Sequence, residues 1–272
     1  MSRDELKNYA DEILKIAKTK SCNGVDISED IKKMLDGTQS YIGESKYIKK
    51  DKEISKCEVR VVNDSTINLM IDQYNKYGSS CGLNFASAKN PGGGFINGAM
   101  AQEESLCYNS LLYESIKNER KTYDFSRNHL NNGLYSTWAI YSPNVLIVRD
   151  KFMKLTEPNV KCSFITSPAP NKGVYKGKSI DVREALEERC RLVLDICIEH
   201  NEKNIVLGAF GCGVFRNSPL EVSTIWYNLL TKENYLSYFE HIDFGVLANS
   251  RDKTNFDTFR RVLEVNLKRY MQ

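Results

Sequence analysis

The sequence predicts an α/β fold built around a buried sheet. Four short runs rich in branched and aromatic residues, CEVRVVN (57–63), CGLNFAS (81–87), KCSFITSP (161–168) and NIVLGAF (204–210), read as buried strands. Longer amphipathic segments follow them, at 64–77, 102–119, 179–200 and 218–230, each long enough for several helical turns. A last pair, HIDFGVLA (241–248) and NFDTFRRVLEVNL (255–267), repeats the alternation, and a chain of 272 residues is long enough to bury a sizeable core.

The elements follow in order. Leu6, Ala10, Ile13 and Ala17 recur at helical spacing, with Tyr9 and Ile16 widening the stripe, so the chain opens on a helix. A second short helix over 28–36 stops at Gly37, and the Lys-rich stretch 44–56 reads as a solvated loop. This divides the chain into an N-terminal helical accessory segment, 1–50, and a main domain, 51–272, without a clear linker between them. TWAIYS and NVLIVRD, split by Pro143, are expected to form two short strands in a hairpin at the sheet edge. Ser218, Pro219 and Glu221 mark a helix start with a capping hydroxyl, Pro at the first helical position and an acid three residues after the cap. Within 182–200, Cys190 and Cys197 share a face with Leu186, Val193 and Leu194 and read as core.

Composition narrows the function classes. Lys plus Arg total 38 against 35 for Asp plus Glu, a near balance that gives no basic footprint for nucleic acid. No apolar run approaches the ~18 residues of a membrane span, and the acidic start has no apolar stretch typical of a secretory signal. The eight cysteines include no C-x-x-C pair and read as reduced thiols, so a cytoplasmic location is expected. His129, His200 and His241 lie far apart without metal or triad spacing, and no metal or cofactor is expected. GVYKGKS (173–179) ends like a phosphate-binding loop but is one residue short of that spacing.

Two glycine-rich segments stand out. NPGGGFINGAMAQEE (90–104) follows a strand and leads into a helix, and three consecutive glycines let backbone amides approach a ligand without Cβ atoms in the way. Glu103 and Glu104 then fall at or near a helix N-terminus; they can serve chemistry or simply satisfy the helix dipole while the loop turns the chain. GAFGCGVF (208–215) also follows a strand and precedes the capped helix, offering a tight anion-binding turn. Its Phe215 can face a ribose or the core, and Cys212 reads as a small side chain in a crowded loop more than as a reactive thiol. Two such loops in one sheet suggest a crevice for a phosphorylated ribose compound. Glycosidic chemistry fits the acid pair: a carboxylic acid can protonate the departing oxygen of a ribosyl C1″–O bond through an oxocarbenium-like state and, once ionised, activate water. Adjacent helical residues point about 100° apart, so the two acids should have different jobs.

At these residues the chain resembles the bacterial-type poly(ADP-ribose) glycohydrolases, a divergent macrodomain family marked by GGG, a short spacer and QEE; here the spacer FINGAMA is seven residues long. LNFASAKNPGGGF, QEESL, IYSPNV with VRD, ITSPAPN and GAFGCGVFRN add to the likeness over roughly residues 60 to 265. The resemblance implies a macrodomain-like three-layer α/β/α sandwich with a mixed sheet, and ADP-ribose in a cleft at its crest. It implies Glu104 as the catalytic acid and Glu103 as its neighbour binding ribose hydroxyls. Gly92, Gly93, Gly94 and Phe95 fall in the loop lining the distal ribose, ahead of Gln102, and Gly211, Cys212, Gly213, Val214 and Phe215 in the diphosphate loop. Asn84, Ser87 and Asn90 lie where macrodomains place polar side chains on ribose. The expected function is hydrolysis of ribose–ribose bonds of poly(ADP-ribose) from chain ends, with an accessory segment, for which 1–50 is available, covering the adenosine ribose. Partners are then poly(ADP-ribose), ADP-ribose and, indirectly, ADP-ribosylated proteins. The alternatives are a hydrolase of mono-ADP-ribosylated proteins and a non-catalytic ADP-ribose reader.

Overall fold

The computed structural model describes residues 1–45 and 56–270. Its centre is a seven-stranded mixed sheet in the order β3-β6-β7-β5-β8-β9-β4. The strands are β3 (Gln39–Ile42), β4 (Glu58–Val62), β5 (Cys81–Phe85), β6 (Trp138–Arg149), β7 (Leu155–Ser167), β8 (Asn204–Gly208) and β9 (His241–Gly245). From β7 through β4 neighbouring strands run parallel, whereas β3, β6 and β7 pair antiparallel. Side chains alternate between two apolar cores, one on each face: Leu83, Ile165, Ile205 and Leu207 enter one, and Phe164, Val206, Trp138 and Ile140 the other. On the first face lie α7 (Ser179–Glu199), α8 (Pro219–Lys232) and the C-terminal α9 (Thr254–Phe259). On the second lie α1 (Arg3–Thr19), α2 (Ser28–Gly37), α3 (Thr66–Tyr77), α4 (Gln102–Asn109) and α5 (Leu112–Ile116). The result is the expected three-layer sandwich. Cys190 and Cys197 are buried in the first core. Among the described residues no helix is long and apolar enough to cross a membrane.

Three local expectations are corrected. The residues around Pro143 form one continuous strand, β6, lying between β3 and β7 instead of an edge hairpin. A register shift between Ser142 and Val145 absorbs the proline, whose missing N–H is tolerated at a bulge, and Asn144 adopts φ 53° there. Residues 102–119 break into α4 and α5, because Ser110 is extended and forms a bridge to Ile147. The final helix passes through a π-helical stretch, Arg260–Val265, into α10 (Asn266–Tyr270). The sequence reading also passed over a small hairpin, β1 (Ser21–Cys22) with β2 (Val25–Asp26), and the helix α6 (Arg120–Asn128).

The described part of the N-terminal segment is built into the main body. β3 supplies the sheet's outer strand beside β6, and Leu6, Ala10, Ile13, Ile31 and Met34 enter the second core. Buried Arg149 on β6 donates to Tyr108 O at 3.0 Å and pairs with Glu12 of α1. Most of the expected solvated loop, 46–55, and with it the boundary at 50, lies outside the described residues.

Gly208 closes β8 where the chain turns toward the cleft. A Cβ there would sit 2.7 Å from Gly245 O on β9 and 2.9 Å from the Phe85 ring, and the backbone contact cannot yield without moving a strand. Gly208→Ala should therefore cost about 1–3 kcal/mol and lower the thermal midpoint by about 2–12 °C in calorimetry; an unchanged midpoint would show that the strands separate freely.

Candidate active site

The site is assembled from the first turn of α4 upward. Gln102 uses its amide to fix this helix to the end of β5: Oε1 accepts from Phe85 N at 2.8 Å, and Nε2 donates to Leu83 O at 2.7 Å and to Thr66 Oγ1 at 3.2 Å. That clamp brings Glu103 and Glu104 against the glycine loop. Glu103, 3% exposed, accepts from Ser87 N at 2.7 Å through Oε2, and from Gly92 N at 3.2 Å and Asn84 Nδ2 at 3.3 Å through Oε1. Glu104, 8% exposed, accepts among the described residues only from Gly94 N, at 2.8 Å through Oε1, which leaves Oε2 without a hydrogen bond there. Gly93 has φ +58°, and a Cβ on it would collide with Glu104 Oε1. The close approach of loop to acid therefore requires glycine.

Burial pushes the Glu103 carboxyl up to about 8, and the neighbouring Glu104 charge adds to this while the N–H donors oppose it.

These acids face a cleft of about 650 Å³. Its other wall is the loop after β8, where Gly211 adopts φ +72° and a Cβ would strike Asn217 Nδ2 and Ala169. Asn217 is buried; its backbone N–H donates to Gly211 O at 3.1 Å and its Nδ2 to Pro170 O at 2.8 Å. The amides of Cys212 and Arg216 bond back to carbonyls of the loop. Those of Gly213, Val214 and Phe215 meet no acceptor among the described residues, leaving consecutive N–H donors just before the N-terminus of α8, which Ser218 caps. Beside this cleft lies a second lobe of about 400 Å³ that shares Phe85, Ala101, Gln102, Ala209 and Gly213 with it. Ile67, Met100, Leu106, Val246 and Leu247 give this lobe apolar walls.

The structure brings Ser87, Asn90, Gly93, Gly94, Gln102, Glu103, Glu104, Gly211, Gly213, Val214 and Phe215 to the cleft surface. Asn84, Gly92, Phe95 and Cys212 do not reach it. Asn84 is fully buried beneath Glu103 and bonds Thr166 Oγ1 at 3.1 Å; Gly92 is buried with its N–H on Glu103. Phe95 packs in the second core between the rings of Tyr108 and Tyr113, each 5.1 Å away. Cys212 is held by a weak contact to Phe210 O at 3.9 Å, and burial pushes its thiol up to about 12, so it is not a thiolate nucleophile at neutral pH. Phe215 is half-buried, lining the cleft with one side and packing on the first core with the other. Ser87 Oγ accepts from Lys89 N and Asn90 N at 3.2 Å each, which sets the turn entering the glycine loop. Sequence reasoning missed Lys89, Asn97 and Tyr135, which also line the cleft. The 173–179 stretch braces the second loop, with Gly173 N donating to Phe215 O at 3.1 Å.

The elevated Glu103 carboxyl has a measurable consequence. An unfolded carboxyl titrates near 4.5, so between that pH and about 8 the folded protein holds a proton that the unfolded chain has released. Stability from this group is whole below 4.5 and is lost as pH rises through about 8. Melting midpoints taken from about pH 5 to pH 9 should fall more steeply toward alkali in the wild type than in Glu103→Ala; parallel curves would place this carboxyl's titration in its ordinary range.

The comparisons with known proteins converge. A family profile described as Microbial-type PARG, catalytic domain, matches residues 10–150. No curated protein sequence matches the chain. Among solved structures, poly(ADP-ribose) glycohydrolase from Thermomonospora curvata is similar with a TM-score of 0.86 and 28% identity, covering 96% of this chain and 100% of that one. The same enzyme bound to the inhibitor ADP-HPD gives 0.84 and 28%, covering 95% and 99%. The Deinococcus radiodurans enzyme in complex with ADP-ribose gives 0.76 and 33%, covering 87% and 98%. With the family match spanning more than half of the sequence and the structural likeness nearly all of it, the chain belongs to the microbial-type poly(ADP-ribose) glycohydrolases, a family of glycohydrolase catalytic domains.

Proposed function

We propose that the chain hydrolyses the ribose–ribose O-glycosidic bonds of poly(ADP-ribose) from chain ends, releasing ADP-ribose, with Glu104 as general acid and base. The observation that carries this reading is the unequal bonding of the two acids. Glu103 has both oxygens engaged by three N–H donors, whereas Glu104 is held through one oxygen and keeps the other for the cleft. A group fully bonded to its own protein organises a site, and a group anchored at one end can exchange a proton with a ligand.

The geometry suggests how ADP-ribose lies. A flat base suits the apolar lobe, a diphosphate suits the free amides of Gly213, Val214 and Phe215, and the distal ribose then falls between the glycine loop and Glu104. In its carboxylic form Glu104 gives a proton to the departing oxygen as the C1″–O bond breaks. The resulting carboxylate takes a proton from the water that attacks C1″, which returns the acid and leaves free ADP-ribose. Glu103 fixes the loop around this event and holds Ser87 and Gly92 in register with the sugar. Binding of ADP-ribose by the D. radiodurans relative and of ADP-HPD by the T. curvata relative supports a ligand of this class. The N-terminal segment acts here as a brace: Arg3 Nε donates to Asn97 O at 2.9 Å, at the rim of the cleft.

Glu104→Gln should lower ADP-ribose release from poly(ADP-ribose) by ~10² or more while calorimetric binding of ADP-ribose persists, since acid–base catalysis contributes typically ~10² to 10⁴. Undiminished release would remove Glu104 from this role. Release from a mono-ADP-ribosylated protein, with polymer left intact, would redirect the activity to single attached groups.

A further inference from the structure

Tyr135 stands in a backbone conformation that a bulky residue rarely adopts, φ +59°, and it lines the cleft. Directly behind it lies Arg189 of α7, 1% exposed. Arg189 Nη2 donates to Leu134 O at 2.5 Å and to Tyr135 O at 2.9 Å, while its Nε and Nη1 are buried without a partner. Burying a guanidinium for two carbonyl bonds is costly, and the carbonyls it holds belong to the strained turn. Tyr135 N also donates to Leu130 O at 3.0 Å, and Asn171 N holds Gly133 O at 2.7 Å, so the turn is locked from several sides. The outcome is a half-buried phenol ring, 6.0 Å from the Phe215 ring and tilted 57° to it, whose hydroxyl has no protein partner among the described residues.

Strand order places the turn that carries this ring. The apolar lobe draws on the residues after β4 and β9, the free amides follow β8, and the acids come from the segment after β5. Next across the sheet is β7, with Ala169 beyond its end, and then β6, which runs antiparallel to β7 and so begins at the same end of the sheet, just after Tyr135. At about 4.8 Å per strand, the start of β6 lies roughly 10 Å from β5, on the side away from the strands that carry the base lobe, and Tyr135 enters the cleft from there. A polymer cut at Glu104 has its remaining chain on that side, and the first part of it is a nucleoside with an aromatic base.

We propose that Tyr135 forms a subsite for the leaving unit of the polymer, stacking on its nucleoside, and that Arg189 is the positioning residue that presents the ring. This rests on the polymer-cleaving reading above. Glycine is at ease at φ +59°, so Tyr135→Gly removes the ring while keeping the turn. Loss of base stacking predicts a KM for poly(ADP-ribose) raised about tenfold or more, with kcat and the calorimetric Kd for ADP-ribose each within about twofold of wild type. Tyr135→Phe should keep the wild-type KM. Arg189→Met should raise KM as Tyr135→Gly does, and the double variant should add nothing further, a non-additivity that a merely structural arginine would not produce. An unchanged polymer KM in Tyr135→Gly, or an ADP-ribose Kd that rises in parallel with it, overturns the proposal while leaving the glycohydrolase reading intact. Absence of ADP-ribose release by the wild type overturns both.

Discussion

Two buried acids side by side need donors, and residues 87–94 provide them as backbone N–H groups. Ser87, Gly92 and Gly94 each donate to one of the two acids at the head of α4, and Asn84 supplies a side-chain amide from below. This exchange fixes the loop and the acids together. Without the acids the glycine turns would have buried donors to satisfy, and without the turns two adjacent acids would be packed into an apolar body with nothing to offset their desolvation. Gln102 extends the same logic into the sheet, because it ties the acids' helix to the last residues of β5. The cleft is thus anchored to the central strand of the sheet and not to a free loop.

The arrangement of the sheet explains why the cleft has distinct parts. Parallel strands all end at one side, and each contributes a loop there: an apolar wall after β4 and β9, amides after β8, acids after β5. The antiparallel pair β6 and β7 then brings the start of β6 to that same side and adds Tyr135. Residues 1–45 finish the sheet with β3 and support the glycine loop through α1, where Gly98 passes so close to Arg3 that a Cβ would meet the Arg3 carbonyl at 2.5 Å.

Much of this was legible in the sequence because the chemistry is written locally. A triple glycine ahead of Gln-Glu-Glu, and Ser-Pro-x-Glu after a second glycine loop, specify turns, helix starts and N–H donors whatever the tertiary contacts. What depended on packing was harder to read. Phe95 and Asn84 carry cleft-like chemistry, but one is drawn into the aromatic cluster with Tyr108 and Tyr113 and the other is covered by Glu103. Pro143 looked like a strand break, and only the neighbouring strands on both sides of β6 allow a bulge to carry the chain through it. The small hairpin at Asn23-Gly24 did have a local signal, since both residues adopt positive φ as its tight turn requires. Tyr135 had none: its place in the cleft is held by Arg189, distant in sequence and adjacent in space.

The free amides at 213–215 carry one more implication. They are neutral dipoles held rigidly by the turn, so a phosphate group seated on them would displace few condensed counterions and form no exposed ion pair with them. Its hold on that part of the cleft would vary little with ionic strength, in contrast to proteins that grip phosphates with lysine and arginine side chains. For a chain of nearly balanced charge, 38 basic against 35 acidic residues, such a seat would select a phosphate by its fit to the turn and not by general attraction to polyanions.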